Sequence, residues 1–502
     1  MILRPYQQQL ITASRQAIAQ GHHSIVCVSP TGSGKTVIFS WIASSAKEKG
    51  KRVLILVHRQ EIFEQTLEKL HSFGVVAGQI RSGRITTRNN IHVAMVGTIV
   101  NRLQTLQDYD LIIVDEGHHA TAKTWQKILS HFSGSIKLFF TATPERSDGR
   151  GLGDFCDCMV EGPTTASLVA DGYLSFPWIK GPPKELLYNF HLTRGDFDKK
   201  EQVKIYTGKK IIGDVIEHHR QYLAGMPTIS FVCSLQHGDI MQKVYRDAGI
   251  KAQLIQGGQK YSLERKEACK ALADGSLEIL ISCDVISEGF DVPVVAGCHM
   301  LRRTMSTGLY IQQGGRALRP IYAPGMPLDT REQRLAAIKA GPKPVAYILD
   351  FVGNCDLHGH LIDRREWNLE SIKRDPRKNS PEMTVCPSCG LRIPGKPKVC
   401  PDPDCGHRFI DQAARARKLK LEHISGQLID AIPGIEQEEA YKMAAVMASE
   451  DKRKKQKFMF AMAFKAVQQD TRDNLDKLAE MAGYKKGWTD YAWNYAKDKV
   501  RV

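Results

Sequence analysis

The stretch Ser29-Pro-Thr-Gly-Ser-Gly-Lys-Thr36 places two glycines, a lysine and a hydroxyl at the spacing that cradles a chain of phosphates. Gly32 and Gly34 allow backbone turns closed to other residues, so successive N–H groups converge on one anion. An apolar run before it (residues 24–28) and a helical pattern after it (residues 37–42) supply the strand and helix N-terminus that such a loop requires. In that setting Thr31, Gly32, Ser33 and Gly34 line the phosphates, Lys35 reaches their outer oxygens, and the Thr36 hydroxyl completes the shell of a Mg²⁺ ion. Ser29 stands where the usual pattern begins with glycine. Taken alone, the stretch also suits an ordinary glycine-rich turn before a surface helix.

Three further groups of residues could do chemistry. The run Leu111-Ile-Ile-Val114 ends in Asp115-Glu116-Gly117-His118, and adjacent carboxylates at the tip of a buried strand are costly unless they hold a cation or react. Asp115 suits a second Mg²⁺ contact through water, and Glu116 the base that activates an attacking water; the alternative is a solvated turn. Arg316 and Arg319, in a helix-like segment, fall one turn apart, so that their guanidinium groups share a face. Such a pair suits a triphosphate on a facing domain, and equally a basic surface. Cys386-Pro-Ser-Cys389 and Cys400-Pro-Asp-Pro-Asp-Cys405 form two knuckles suited to zinc (Zn²⁺) held by four thiolates, with His407 able to replace one. A redox dithiol or unliganded cysteines are the alternatives there.

The elements that must position these groups alternate. Strands are expected at residues 52–57, 91–96, 111–114 and 137–140, which with 24–28 make a doubly wound α/β domain. A second alternating unit has strands at 228–233, 253–255, 280–283 and 297–301 and carries no second phosphate loop. The expected boundaries are 1–165 and 185–360 for these domains, 166–184 and 361–382 for linkers, 383–411 for the zinc module and 412–502 for a helical domain. In that last part, the basic run 452–457 with Phe458 and Phe460 suits either phosphate tracking or a solvated helix face. Trp488, Tyr491 and Tyr495 fall at helical spacing, which more often marks a small core than a base-stacking platform.

The 502 residues exceed one core, and a net charge of +16 points to a polyanionic partner, nucleic acid first. No run approaches the ~18 apolar residues of a membrane span, and most of the twelve cysteines are scattered singly, which suits a reducing, cytoplasmic compartment.

In order, residues 29–36, 115–118, 141–143, 288–291 and 312–319 resemble motifs I, II, III, V and VI of the superfamily 2 helicases, over roughly residues 1–355. The segment 348–359, the zinc module and a short Gly-Trp-containing tail resemble more narrowly the RadD-like DNA helicases, related to type III restriction helicase subunits. The resemblance implies two RecA-like domains with ATP in their cleft and one nucleic-acid strand across both. It implies Gln7, with Arg4, as the adenine-reading segment, and His58, Arg59, Gly97 and Thr98 as contacts to the nucleic-acid backbone. Gly289 and Asp291 would lie beside the ribose and phosphates. Gln312, Arg316 and Arg319 would complete the catalytic set with Lys35 and Glu116, and Thr141 and Thr143 would relay the nucleotide state. Gly117 departs from the family's alanine or cysteine, and Cys283 from a threonine that contacts the strand. The implied cofactors are ATP, Mg²⁺ and Zn²⁺, and the implied partners single-stranded, forked or branched DNA and replication or repair proteins, with the chain a monomer. An RNA helicase and a non-hydrolysing nucleic-acid scaffold are the alternatives.

Overall fold

The apolar runs are too short for helices and too continuous for a half-exposed sheet, so they pack as parallel strands covered on both faces. The computed structural model describes residues 3–500 apart from 87, 118–119, 121, 145–150, 182–189, 194, 259–260, 286–294, 371–382, 403–404, 410–436, 448–451 and 486. The first sheet is built from β1 (Ser24–Val28), β2 (Val53–Val57), β3 (Gly78–Arg81), β4 (Arg84–Ile85), β5 (Ile91–Met95), β6 (Leu111–Asp115), β7 (Ile136–Thr141) and β8 (Cys158–Glu161). Its order is β4-β3-β5-β2-β6-β7-β1-β8, and only the β3–β4 pair is antiparallel. Every residue of β2 is buried, and its side chains alternate between two cores. Val53, Ile55 and Val57 join one, Leu54 and Leu56 the other.

The register sets the functional edge. Val28 pairs with Thr141 and Asp115 with Phe140, so the phosphate loop, the Asp115–Glu116 pair and Thr141 leave three adjacent strands at one level. This is the carboxyl end of the sheet, where ligands bind in open α/β folds.

The second sheet holds β9 (Pro177–Lys180), β12 (Thr228–Val232), β13 (Ala252–Ile255), β14 (Ile279–Ser282), β15 (Gly297–Leu301) and β16 (Ala346–Asp350). Its order is β13-β14-β12-β15-β16-β9, all parallel. A hairpin of β10 (Leu192–Thr193) and β11 (Asp196–Phe197) lies between β9 and β12 in the chain. The stretch 166–184 therefore is more than a linker, because it supplies an edge strand of the second sheet. Its signal is weak in sequence because it is short and opens on proline, which a sheet tolerates at the first residue of an edge strand.

The cysteine knuckles cover that edge. Their hairpin, β17 (Met383–Val385) with β18 (Arg392–Pro394), is joined to β9 by an antiparallel bridge between Lys180 and Leu391. Arg392 is fully buried, with Nε donating to Asp356 Oδ2 at 3.0 Å, and Trp178 Nε1 donates to Asp402 Oδ2 at 3.3 Å. A buried guanidinium is tolerated only while it is paired.

A compact unit ends at Gly406 and a second begins at His407. The second contains helices Gln437–Met447, Lys452–Gln469, Arg472–Met481 and Trp488–Val500. Met443, Met459 and Leu478 centre one of its apolar clusters, and Ala463, Leu475, Ala492 and Ala496 another. Among the described residues no helix is long and apolar enough to cross a membrane.

Five imidazoles are buried in the second α/β domain. Burial lowers His237, His358 and His360 to about 4 and also lowers His219 and His299. The unfolded chain takes up these protons near pH 6.5, so below that value it binds more protons than the folded chain. Folding free energy is thus fully present above about pH 7 and lost as pH falls toward 4. Thermal melts should show a midpoint steady from pH 8 to 7 and falling through pH 6 and 5; a flat profile would contradict neutral burial.

Candidate active site

The phosphate loop is shaped by its own side chains. Gly34 caps the helix Lys35–Glu48 with φ +84°, and a Cβ there would come within 2.8 Å of Gln7 Nε2. The backbone therefore demands glycine, and a side chain there would also push the Gln7 amide aside. The Ser29 N–H donates to the Thr141 carbonyl at 3.0 Å, and its hydroxyl donates to Ser33 Oγ at 2.7 Å. Ser33 Oγ in turn donates to the Pro30 carbonyl at 2.7 Å. The serine in place of glycine at position 29 is fully buried and is a strut of the loop. Lys35 Nζ reaches back to the carbonyls of Ser29 at 3.3 Å and Pro30 at 3.5 Å.

The N-terminal segment clamps the same loop. Gln7 Nε2 and the Tyr6 hydroxyl donate to the Ser33 carbonyl at 3.1 and 2.9 Å, and Gln7 Oε1 accepts from the Arg4 N–H at 3.0 Å. The Arg4 guanidinium lies 4.9 Å from the centre of the Tyr173 ring, and that of Arg334 lies 4.1 Å from it. Sequence patterns did not single out Tyr173, because Arg4 and Arg334 lie far from it in the chain on either side.

Burial first, then the charge of Glu116, pushes the Asp115 carboxyl up to about 6, against the pull of Lys35 and His58. Burial likewise lowers Lys35, opposed by Glu116 and Asp115 and reinforced by Arg316 and Arg319. Two acids and three cations thus act on one another within one pocket. Glu116 takes φ +52°, a left-handed conformation that costs a non-glycine residue about 1 kcal/mol or more. Its N–H donates to Asp115 Oδ1 at 3.0 Å, which holds the Asp115 carboxylate against the Glu116 backbone. A Cβ on Gly117 would sit 2.7 Å from Phe139 Cβ, so the departure from alanine reflects close packing on β7. His118, Gly289 and Asp291 lie outside the described residues.

The helix Thr307–Gly315 carries Gln312, buried, and stops one residue before Arg316, its C-cap. Arg316 and Arg319 are therefore not on one helical face as the sequence pattern suggested. Gly314-Gly315 weakens the helix, and Pro320 turns its predecessor away from helical angles. The irregular turn achieves what the helix would not, since it lays this segment directly on the phosphate loop. A Cβ on Gly315 would meet Thr31 Cβ at 2.6 Å, and one on Gly32 would meet Arg319 Cγ at 3.6 Å. At the second residue of the helix, a Cβ on Gly308 would meet Thr143 Oγ1 at 3.1 Å. Thr143 thus touches the second domain, while its N–H donates to Thr141 Oγ1 at 3.1 Å.

Lys343 holds that turn from behind. It is buried, and its Nζ donates to the carbonyls of Val295 and Arg319, both at 2.6 Å, and of Ala317. Burial lowers its ammonium to about 7. A lysine between Gly341 and Pro344 reads as loop in the sequence, and nothing in the local pattern marks it.

Beside this site a cavity of about 630 Å³ brings together His58, Arg59, Gly97 and Thr98 with Gly257, Gly258 and Val285 of the second domain. Arg81, Arg84 and Arg265 also line it, and Arg59 Nη1 donates to the Val285 carbonyl at 2.7 Å. Arg265 pairs with Glu61 across the two domains, with Nε to Oε1 at 3.0 Å. Cys283 is not brought here. It packs against the apolar cluster of Val215, Val232 and Met241 beyond the end of β14.

The four knuckle sulfurs lie within 4.8 Å of one another, with Cys386–Cys405 at 3.6 Å and Cys389–Cys400 at 3.7 Å. Thiolates at about 2.3 Å from a tetrahedral zinc stand about 3.8 Å apart, whereas a disulfide needs about 2.05 Å. The donor set fits zinc and is complete without His407.

Residues 1–146 match the family "Type III restriction enzyme, res subunit", and residues 210–320 match "Helicase conserved C-terminal domain". The "51.5 kDa protein" of a Lactococcus phage is 32% identical over 397 residues, covering 78% of this chain and 80% of that one. The chain belongs to the superfamily 2 helicases. "Putative ATP-dependent helicase IRC3" of Saccharomyces cerevisiae is 30% identical over 343 residues, 63% of this chain but only 49% of the yeast protein. A fragment structure of a "putative HsdR subunit of a type I restriction enzyme" from Vibrio vulnificus shares the fold, with a TM-score of 0.54 at 20% identity over 72% of this chain and 67% of that one. For this helicase, the domain pair implies ATP hydrolysis coupled to nucleic acid.

Replacing Lys343 with Met should leave three buried carbonyls without their donor and cost roughly 2–4 kcal/mol of stability. In the protein that remains folded, kcat should fall at least about tenfold with KM for ATP within about threefold, because the arginine turn loses its support and not its charges. An unchanged kcat would remove Lys343 from the active site. Stripping zinc with a chelator should free Arg392 from its docked position and lower the thermal midpoint; a midpoint indifferent to chelation would show that the cysteines carry no structural metal.

Proposed function

We propose that the chain is an ATP- and Mg²⁺-dependent DNA helicase or translocase of the RadD-like kind, acting in replication, repair or recombination. The observation that carries it is the direct seating of the arginine-bearing turn on the phosphate loop, Gly315 on Thr31, beside a cavity lined by both domains. A nucleotide in this cleft would be held by Arg4 and Gln7 at the base, by the loop amides and Lys35 at the phosphates, and by Arg316 and Arg319 from the facing domain. Glu116 would hold and deprotonate the attacking water. Mg²⁺, held by Thr36 and through water by Asp115, would supply charge neutralisation between the phosphates. Arg59 and Thr98 grip the strand on one side and the Gly257–Val285 rim on the other, so a change in cleft closure moves one grip against the other. Thr143, in contact with Gly308, would couple the two. Zinc, at Cys386, Cys389, Cys400 and Cys405, would clamp the edge of the second sheet.

DNA is favoured over RNA by the segment 348–359, the zinc module and the Gly-Trp-containing tail, which are the features of the narrower resemblance. The test is steady-state ATP hydrolysis without nucleic acid and with single-stranded DNA, forked DNA or single-stranded RNA. DNA should stimulate at least about tenfold and RNA little, with Lys35→Ala and Glu116→Gln each reducing the stimulated rate by about a hundredfold or more. Equal stimulation by RNA would make the chain an RNA helicase. Hydrolysis that neither variant lowers would leave a nucleic-acid scaffold.

A further inference from the structure

The helical unit that starts at His407 carries a surface built from residues other than those of the ATP cleft and its neighbouring cavity. Helices Lys452–Gln469 and Trp488–Val500 pack together through Ala463, Ala466, Ala492 and Ala496. Small residues at that seam hold the large aromatic side chains at its margin. Tyr491 and Tyr495 are 61% and 43% exposed, so more than half of the first and nearly half of the second is open to solvent. Their rings lie 6.3 Å apart and within 22° of parallel, as successive rungs on one helix face. Phe460 props both edge-on, at 6.3 and 5.5 Å, and Phe464 meets Tyr495 at 6.2 Å. Edge contacts of this kind fix ring orientation without covering the ring faces.

A concavity of about 560 Å³, the size of a small-ligand pocket, runs along the first of these helices and is lined by Arg453, Gln456, Lys457, Phe460, Ala461 and Phe464. Its cations stand one and two turns before the phenyl rings. The 18 residues of that helix include six lysines or arginines and no acid. Five of them crowd the helix N-terminus, where the backbone dipole also repels positive charge. Asp490, next to Tyr491, is engaged by Arg472. The surface therefore presents positive charge followed by open aromatic faces, the pairing that accepts phosphates and unpaired bases together.

We propose that this face is a second binding site for single-stranded nucleic acid, with Arg453 and Lys457 on the phosphates and Tyr491 and Tyr495 stacked on bases. A duplex would not suit it, since its bases are not available for stacking. The site is separate from the ATP cleft and would tether the strand without hydrolysis.

The test uses the full chain, without nucleotide, and a 20-mer of thymidine carrying photoreactive 5-iododeoxyuridine. Irradiation followed by peptide mapping should place crosslinks on Tyr491 or Tyr495. Tyr491→Ala with Tyr495→Ala should remove them, weaken binding at least about fivefold and leave ATP hydrolysis without DNA unchanged. The double phenylalanine variant should bind like the unmodified chain, which separates stacking from loss of fold. Crosslinks confined to other residues, with unchanged affinity of the double alanine variant, would overturn the site. Displacement of a bound acidic peptide, but not of the oligonucleotide, by those same substitutions would overturn it in favour of a protein partner. Neither the crosslink map nor the affinity depends on stimulated hydrolysis, so this site and the motor stand or fall separately.

Discussion

The constraint on which the chemistry of this molecule depends is the close packing of Gly315 on Thr31. No side chain fits between the arginine-bearing turn and the phosphate loop, and this lack of a Cβ lets two separately folded sheets share one pocket. The cluster of charges in the cleft follows from that contact. Lys35, Asp115 and Glu116 come from one sheet, Arg316 and Arg319 from the chain of the other, and their charges act on one another only because the turn lies flat on the loop. Lys343 secures the turn from the opposite side by donating to its carbonyls.

A pocket with this balance of buried charge is tuned for a ligand more than for stability. Like charges are crowded, Glu116 keeps a left-handed backbone, and both the Asp115 carboxyl and the Lys35 ammonium have their charged forms disfavoured by burial. Active sites commonly hold strain and shifted ionisation of this kind, which the surrounding sheet over-determines. The same logic recurs at the far edge of the second sheet, where Arg392 is buried against Asp356 and the cysteine knuckles close over it. That docking favours a structural role for the cysteine module over a grip on nucleic acid.

The sequence by itself determined the two alternating sheets and the residues of the phosphate loop, the carboxylate pair and the cysteine knuckles. Each of these is local: a run of apolar residues, a glycine spacing or two cysteines in one turn encodes its own geometry. What the tertiary structure decided is what depends on residues far apart. Position 29 accepts serine because Ser33 is there to receive its hydroxyl, and position 117 requires glycine because Phe139 passes behind it. Strand β9 looked like linker because an edge strand has only one paired neighbour to shape its composition. The arginines reach the cleft from an irregular turn, which no periodicity could show, and Cys283 faces apolar side chains where a strand contact was expected. Tyr491 and Tyr495 share the helical spacing of core residues, yet alanines fill the seam and leave their rings in solvent. Spacing states which residues share a face, and only packing decides whether that face is covered.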